Sequence, residues 1–136
     1  MKTLIFGLIF SALAITARAQ VPYNVVFDLT SSDTMVHKSV LRWLNGISTN
    51  KPEAKLEVVL YGQSLDMVRS GRSVVEEALK KVISNPNVMV KVCASAMKRQ
   101  NVNAAELIPG VEMVSDGIYQ IVTRQSQGWS YIKAAQ

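Results

Sequence analysis

The run Val88-Met-Val-Lys-Val-Cys93, handed straight to Ala94-Ser-Ala-Met-Lys-Arg-Gln100, decides the fold. Its first half is a short apolar segment bounded upstream by the turn Asn85-Pro-Asn87, and it reads as a buried strand. Its second half is made of good helix formers. A strand passing directly into a helix is the repeating unit of an open α/β sheet, whose ligand crevices lie outside the carboxyl ends of the strands. Cys93, the only cysteine, stands at that junction. Helix N-terminal amides point there and can lower a thiol's pKa enough to make it a nucleophile.

The same alternation continues outward. Upstream, Tyr23 to Thr30 reads as a buried strand that tolerates Pro22 at its start, and Asp33 is a good N-cap. Val36, Val40, Trp43, Leu44 and Ile47 then recur at helical spacing from Thr34 to about Ile47. Ala54 to Tyr61 is a second strand, its end continuously apolar as in a strand covered on both faces. Gly62 to Arg72 is a loop with one helical turn around Leu65, Met67 and Val68, and Ser73 caps a helix running to about Ser84. Downstream, the helix after Cys93 ends near Asn101, and Asn103-Ala-Ala-Glu106 resembles a capping box. Pro109-Gly110 turns the chain into a fourth strand, Val111 to Val114. Asp116 or Ser115 caps a last helix carrying Ile118, Ile121 and Val122, Gly128 suits its C-terminal cap, and Trp129 to Ile132 forms a short edge strand. Strands alternating with helices predict one α/β domain in three α/β/α layers, with a mainly parallel sheet of about five strands.

The first 19 residues read differently. Lys2 makes a positive start, Leu4 to Thr16 an apolar stretch, and Ala17-Arg18-Ala19 a small-x-small cleavage pattern before Gln20. The stretch is shorter than the ~20 residues a membrane span needs, so the expectation is a cleaved export signal and a periplasmic or secreted protein, without stable membrane insertion. No cysteine follows the cleavage site to carry a lipid. Removing 19 of 136 residues leaves 117, residues 20–136, enough for one core but not two. The leader holds two of the 15 basic residues and none of the 10 acidic ones, so the net charge falls from +5 to +3. Those charges are dispersed, which speaks against a nucleic-acid partner.

One cysteine in an exported chain cannot form an internal disulfide. Cys93 is a buried small hydrophobe, a reactive thiol, or half of an intermolecular bridge. Lys91, Lys98 and Arg99 add positive potential if they fold back toward it. His37, in the first turn of the first helix, lies at the same sheet edge and is a candidate base, or else a solvent-facing helix residue. Asp28 ends the first strand, where it faces a ligand or accepts loop amides, and Ser95 stands at the same edge. Arg69-Ser-Gly-Arg72 holds an anion or is a solvated loop. Trp43, Tyr61, Trp129 and Tyr131 read as core or subunit-interface aromatics. One histidine and one cysteine without paired spacing predict no metal site, and no phosphate loop, catalytic triad or paired-carboxylate site is present, so no cofactor is expected.

Several segments together resemble a known family: Val90-Lys-Val-Cys-Ala-Ser-Ala-Met-Lys-Arg-Gln100, Leu107-Ile-Pro-Gly-Val111, Val114-Ser-Asp-Gly-Ile118, and Arg124-Gln-Ser-Gln-Gly-Trp-Ser-Tyr-Ile132. With Asp28 and Val59-Leu-Tyr-Gly62, they make the chain similar to DsrE/DsrF-like proteins of sulfur oxidation and sulfur relay. The resemblance implies a flavodoxin-like sheet, assembly into homotrimers or hexamers, and a sulfur-carrying cysteine at Cys93. It implies thiolate attack on a sulfane-sulfur donor, a Cys93 persulfide, and transfer to an acceptor thiol. Relay members work in the cytoplasm, whereas this chain carries an export signal and offers no second thiol, so a relay here implies a donor or acceptor protein. The rival expectation is a non-catalytic small-ligand-binding or structural homo-oligomer in which Cys93 only packs.

Overall fold

A computed structural model describes residues 21–135; the leader read at 1–19 lies outside them. The strands are Asn24–Leu29 (β1), Lys55–Leu60 (β2), Val88–Cys93 (β3), Glu112–Val114 (β4) and Ser130–Ala134 (β5). They lie in the order β4-β3-β2-β1-β5, and every pairing is parallel. The helices are Thr34–Asn50 (α1), Glu76–Ile83 (α2), Ala94–Arg99 (α3) and Gly117–Ser126 (α4). This is the three-layer α/β/α arrangement that the alternation predicts.

Handedness decides which helix goes where. β1 to β4 advance across the sheet in one direction, so right-handed crossovers put α1, α2 and α3 on one face. β5 returns to the far side of β1, so the same rule sends α4 to the other face. The packing follows suit. Val25, Phe27 and Leu29 of β1 join α1, α2 and α3 residues in the main core. Val26 joins Val59 and Ile121 of α4 in a small second cluster. Phe27, Leu44, Leu56 and Leu60 are wholly buried, each contributing about 1.5–3 kcal/mol before entropy is counted. Trp43 stacks on Phe27, centroids 6.2 Å apart and planes at 25°, a favourable aromatic geometry.

The local chemistry of the chain sets the ends of the elements. Asp33 caps α1 by accepting from the Met35 amide at 2.7 Å. α1 runs three residues beyond the expected Ile47, because Thr49 and Asn50 side chains each donate to the carbonyl four residues back at 2.8 Å. α2 starts later than a cap at Ser73 predicts. The Val75 backbone is not helical, at φ −122° and ψ 15°, and the Ser73 hydroxyl instead accepts from the Val75 amide. Asp116 caps α4 through the Tyr119 amide at 2.8 Å, and the Asn103–Glu106 capping box forms as expected. Gly128 follows α4 with φ 83°, a left-handed turn that glycine adopts without steric cost.

α4 is the unusual element. Its inward side is polar: Gln120 donates to Glu57 Oε1 at 2.6 Å, and Arg124 donates through Nε to Glu57 Oε2 at 2.9 Å. Glu57, in mid-β2, is fully buried, and Trp129 stacks on the Arg124 guanidinium at 4.5 Å. Of the three apolar residues read on this helix, only Ile121 faces the sheet. Ile118 and Val122 are 61% and 55% exposed, and Tyr119 is 71% exposed.

Candidate functional site

The carboxyl edge of the sheet gathers most of the chemistry. The strand order reverses between β1 and β5, so the topological switch point of this sheet lies there. Side-chain alternation and parallel register turn Asp28, Tyr131 and Lys133 to the α4 side of that point, since Val26 pairs with Tyr131 and Asp28 with Lys133. Asp28 is buried and accepts from the Tyr131 hydroxyl at 2.6 Å and from Lys133 Nζ at 3.0 Å. Tyr61, just past the end of β2, brings a second phenol to the neighbourhood of the Asp28 carboxylate. Lys133 reaches Thr30 Oγ1 at 2.9 Å and lies 5.8 Å from the centre of the Tyr61 ring.

This cluster holds protons rather than moving them. Burial first, then the neighbouring Asp28 carboxylate, push the Tyr61 phenol up to about 12. Tyr131 is pushed up to about 12 chiefly by its hydrogen bond to Asp28, with burial second. Both phenols therefore stay protonated at neutral pH, and Tyr131 acts as a lock between β5 and β1. Asp28 accepts side-chain donors, not the loop amides expected from its position. Tyr131 and Lys133 were not singled out by sequence as partners of Asp28. Their spacing of two in a short strand was the available signal, but the pairing of β5 with β1 joins residues about a hundred positions apart, and no local pattern announces it.

Cys93 lies two strands from the switch point and is 5% exposed. A methyl group on Gly117 would stand 3.2 Å from Cys93 Cβ, 3.2 Å from Val59 Cγ1 and 3.4 Å from Tyr61 Cδ1. The first residue of α4 thus rests on the thiol-bearing residue, and the close approach calls for glycine. Cys93 is the N-cap residue of α3, yet its side chain makes no capping hydrogen bond, so the expected amide donors do not reach the sulfur. α3 is also only six residues long, which limits its dipole. Lys91 Nζ is held by Glu112 at 2.7 Å, while Lys98 and Arg99 are exposed in the last turn of α3.

The remaining candidates disperse. His37 is buried on α1, across the sheet from the side of Cys93 that α4 covers, and its Nε2 stands 2.7 Å from the Ser31 carbonyl. A carbonyl only accepts, so Nε2 carries the hydrogen and the ring is tied to its own loop. The alternative of a solvent-facing His37 fails because α1 turns its first buried turn, Val36 and His37, inward. Ser95 donates to the Ser115 carbonyl at 3.1 Å and pins α3 to the loop before α4. The Arg69–Arg72 loop does hold an anion, but it is the chain's own Glu76, which accepts from the Gly71 amide at 2.8 Å and the Ser70 hydroxyl at 3.0 Å. Those bonds, the Gly71 amide first and Lys80 next, hold the Glu76 carboxyl below the usual range. Arg69 itself is taken by Glu106 at 2.6 Å and Asp66 at 2.9 Å.

Among the described residues, no three His, Cys, Asp or Glu side chains converge as a metal site, and no helix is long and apolar enough to cross a membrane. The more prominent surface grooves among the described residues are lined by residues other than Cys93, Asp28 and His37.

Solved structures share this fold, three of them as follows. A protein of unknown function from Methanobacterium thermoautotrophicum, MTH1491, superposes with a TM-score of 0.76 at 24% identity, over 82% of this chain and 98% of that one. The ychN protein of E. coli gives 0.68 at 14% identity, over 82% and 98%. A conserved protein of unknown function from Bacteroides thetaiotaomicron, BT1422, gives 0.67 at 14% identity, over 82% and 94%. At these identities the likeness is one of fold. No curated protein matches the chain. A family profile does, from residue 24 to residue 134, and it is that of the DsrE/DsrF-like family.

Proposed function

The chain belongs to the DsrE/DsrF-like family, and from that premise we propose that it is a non-catalytic, homo-oligomeric binding member in which Cys93 packs rather than reacts. The observation that carries this reading is the roof over the thiol: Gly117 stands against Cys93 Cβ, and the side chain lacks both a capping hydrogen bond and a second cysteine. A nucleophilic thiol needs access and a stabilised thiolate, and neither is provided there. The outward apolar side of α4 supports self-association as the family-level assembly.

The test is direct. Incubated with inorganic polysulfide, the wild-type protein should gain no sulfur by intact mass, and an alkylating reagent should reach Cys93 only after denaturation. Cys93→Ala should cost roughly 1–2 kcal/mol in urea unfolding, as a small core truncation does, and leave the oligomer intact.

A persulfide carrier is the second reading, favoured by the position of Cys93 at the carboxyl edge of β3, where the sheet passes into α3. In that chemistry the Cys93 thiolate attacks a sulfane sulfur of the polysulfide. The new S–S bond leaves a Cys93 persulfide and expels a chain shorter by one sulfur. Rapid uptake of one sulfur by the wild type and none by Cys93→Ala would establish the carrier and remove the packing reading. Export of the mature chain belongs to the same proposal, and N-terminal sequencing of the protein recovered from cells should begin at Gln20.

A further inference from the structure

On the face opposite α4 the sheet is incompletely covered. α1 lies over β1, while the edge strand β5 turns Ile132 to the same side, where no helix among the described residues covers it. Between them runs a groove of about 500 Å³, lined by Phe27, Trp43, Gly46, Ile47 and Ile132, with Arg42 as its one charged residue. That volume falls within the ordinary range of small-molecule sites.

Two features point to a ligand and to its chemistry. Gly46 sits inside α1, where glycine weakens a helix relative to alanine. Its conformation does not require glycine, and a Cβ there would meet nothing within 4 Å. The missing side chain therefore serves no contact among the described residues, and it leaves the groove open. The second feature is charge. Arg42 makes no ion pair among the described residues, and its one side-chain hydrogen bond there is donated to Ser39 Oγ at 3.4 Å. Its other flank lines a neighbouring groove together with Lys38 and Lys81, so three positive side chains gather along this side of α1 and α2 without a carboxylate partner among the described residues.

We propose that this groove is a binding site for an amphiphilic carboxylate, its hydrocarbon chain lying along Trp43, Gly46 and Ile132 and its head group on Arg42. The site is on the far side of the sheet from Cys93 and stands whichever way the thiol behaves. An apolar trough with a single cation at its rim matches one negative head on an apolar chain, and the basic strip beyond Arg42 reinforces that polarity.

Decanoate, octanoate and decanol are the probes, read by calorimetry and by Trp43 fluorescence in a Trp129→Phe background. Decanoate should bind saturably, and octanoate about tenfold more weakly, as two fewer buried methylenes dictate. Gly46→Leu should fill the trough and abolish binding while raising the thermal midpoint, because leucine is the better helix former. Arg42→Gln should weaken decanoate about tenfold and leave decanol unchanged. The proposal is overturned if decanoate does not saturate, if Gly46→Leu binds as the wild type does, or if Arg42→Gln weakens acid and alcohol alike. It is equally overturned if Gly46→Leu changes the sedimentation mass, since a second copy of the chain would then be the occupant.

Discussion

At the scale of single residues, Asp28 shows how one buried carboxylate organises an edge. It takes donors from Tyr131 and Lys133, both carried by the neighbouring strand β5, and has the Tyr61 phenol close by. Both phenols are pushed up to about 12, above an unfolded value near 10. Between pH 10 and 12 the folded chain therefore holds protons that the unfolded chain has released. The stabilisation is complete below about pH 10 and is lost as pH rises through 12. The urea midpoint should fall over that window, and Tyr131→Phe should make the fall shallower while costing about 1 kcal/mol at neutral pH. Phenolate absorbance should show both tyrosines titrating late. A midpoint flat to pH 12 would remove the lock from this account. Cys93 teaches the converse lesson at the same scale. Its place at a strand end was legible from the run Val88–Cys93. The roof over it was not, because Gly117 is 24 residues away and nothing in its surroundings marks it as a contact of Cys93.

At the scale of elements, periodicity carried most of the fold. Strands β1 to β3 and helix α1 are strongly patterned, and the structure moves their ends by only a few residues. α4 escaped the same reading because Ile118, Ile121 and Val122 form one apolar group in sequence, whereas Gln120 and Arg124 take the inward positions. What reverses the helix is Glu57, an acid in the middle of an otherwise apolar strand, whose charge must be met where it is buried. Arg124 is the residue that meets it, 67 positions away, which no window of sequence connects. Arg124→Met should therefore cost roughly 3–5 kcal/mol, the penalty of stranding a buried carboxylate. Adding Glu57→Leu to that variant should recover most of the loss, because the hydrophobic pair no longer has a charge to desolvate. A double-mutant cycle from urea unfolding reads this out. If the double variant is as unstable as Arg124→Met alone, α4 is held by something other than the ion pair.

At the scale of the whole molecule, the question is which surface a second copy would take. The sheet edges are poor candidates. β4 is only three residues long, and β5 carries Lys133, whose ammonium is committed to Asp28 and Thr30; short and charged edges resist strand addition. The groove beneath Arg42 carries a charge that an apolar interface would have to bury unpaired. α4 has neither handicap. Ile118, Tyr119 and Val122 project from it next to one another, with Met113 of β4 exposed as well. Inward, the helix is held by Ile121 and by the Glu57 ion pair, and a covering partner would make its outward apolar groups favourable as well. A closed symmetric assembly hides the patch on every copy without leaving a free end. Ile118→Asp with Val122→Asp should convert the assembly to monomers in sedimentation velocity. Both sites are solvent-facing in the single chain, so the unfolding midpoint measured at low concentration should hardly move. Arg42→Gln should leave the mass unchanged, which separates this face from the groove. A wild-type chain that sediments as a monomer at tens of micromolar, the range where interfaces of about 800 Å² per partner ordinarily hold, would leave α4 without its partner and end the oligomer reading.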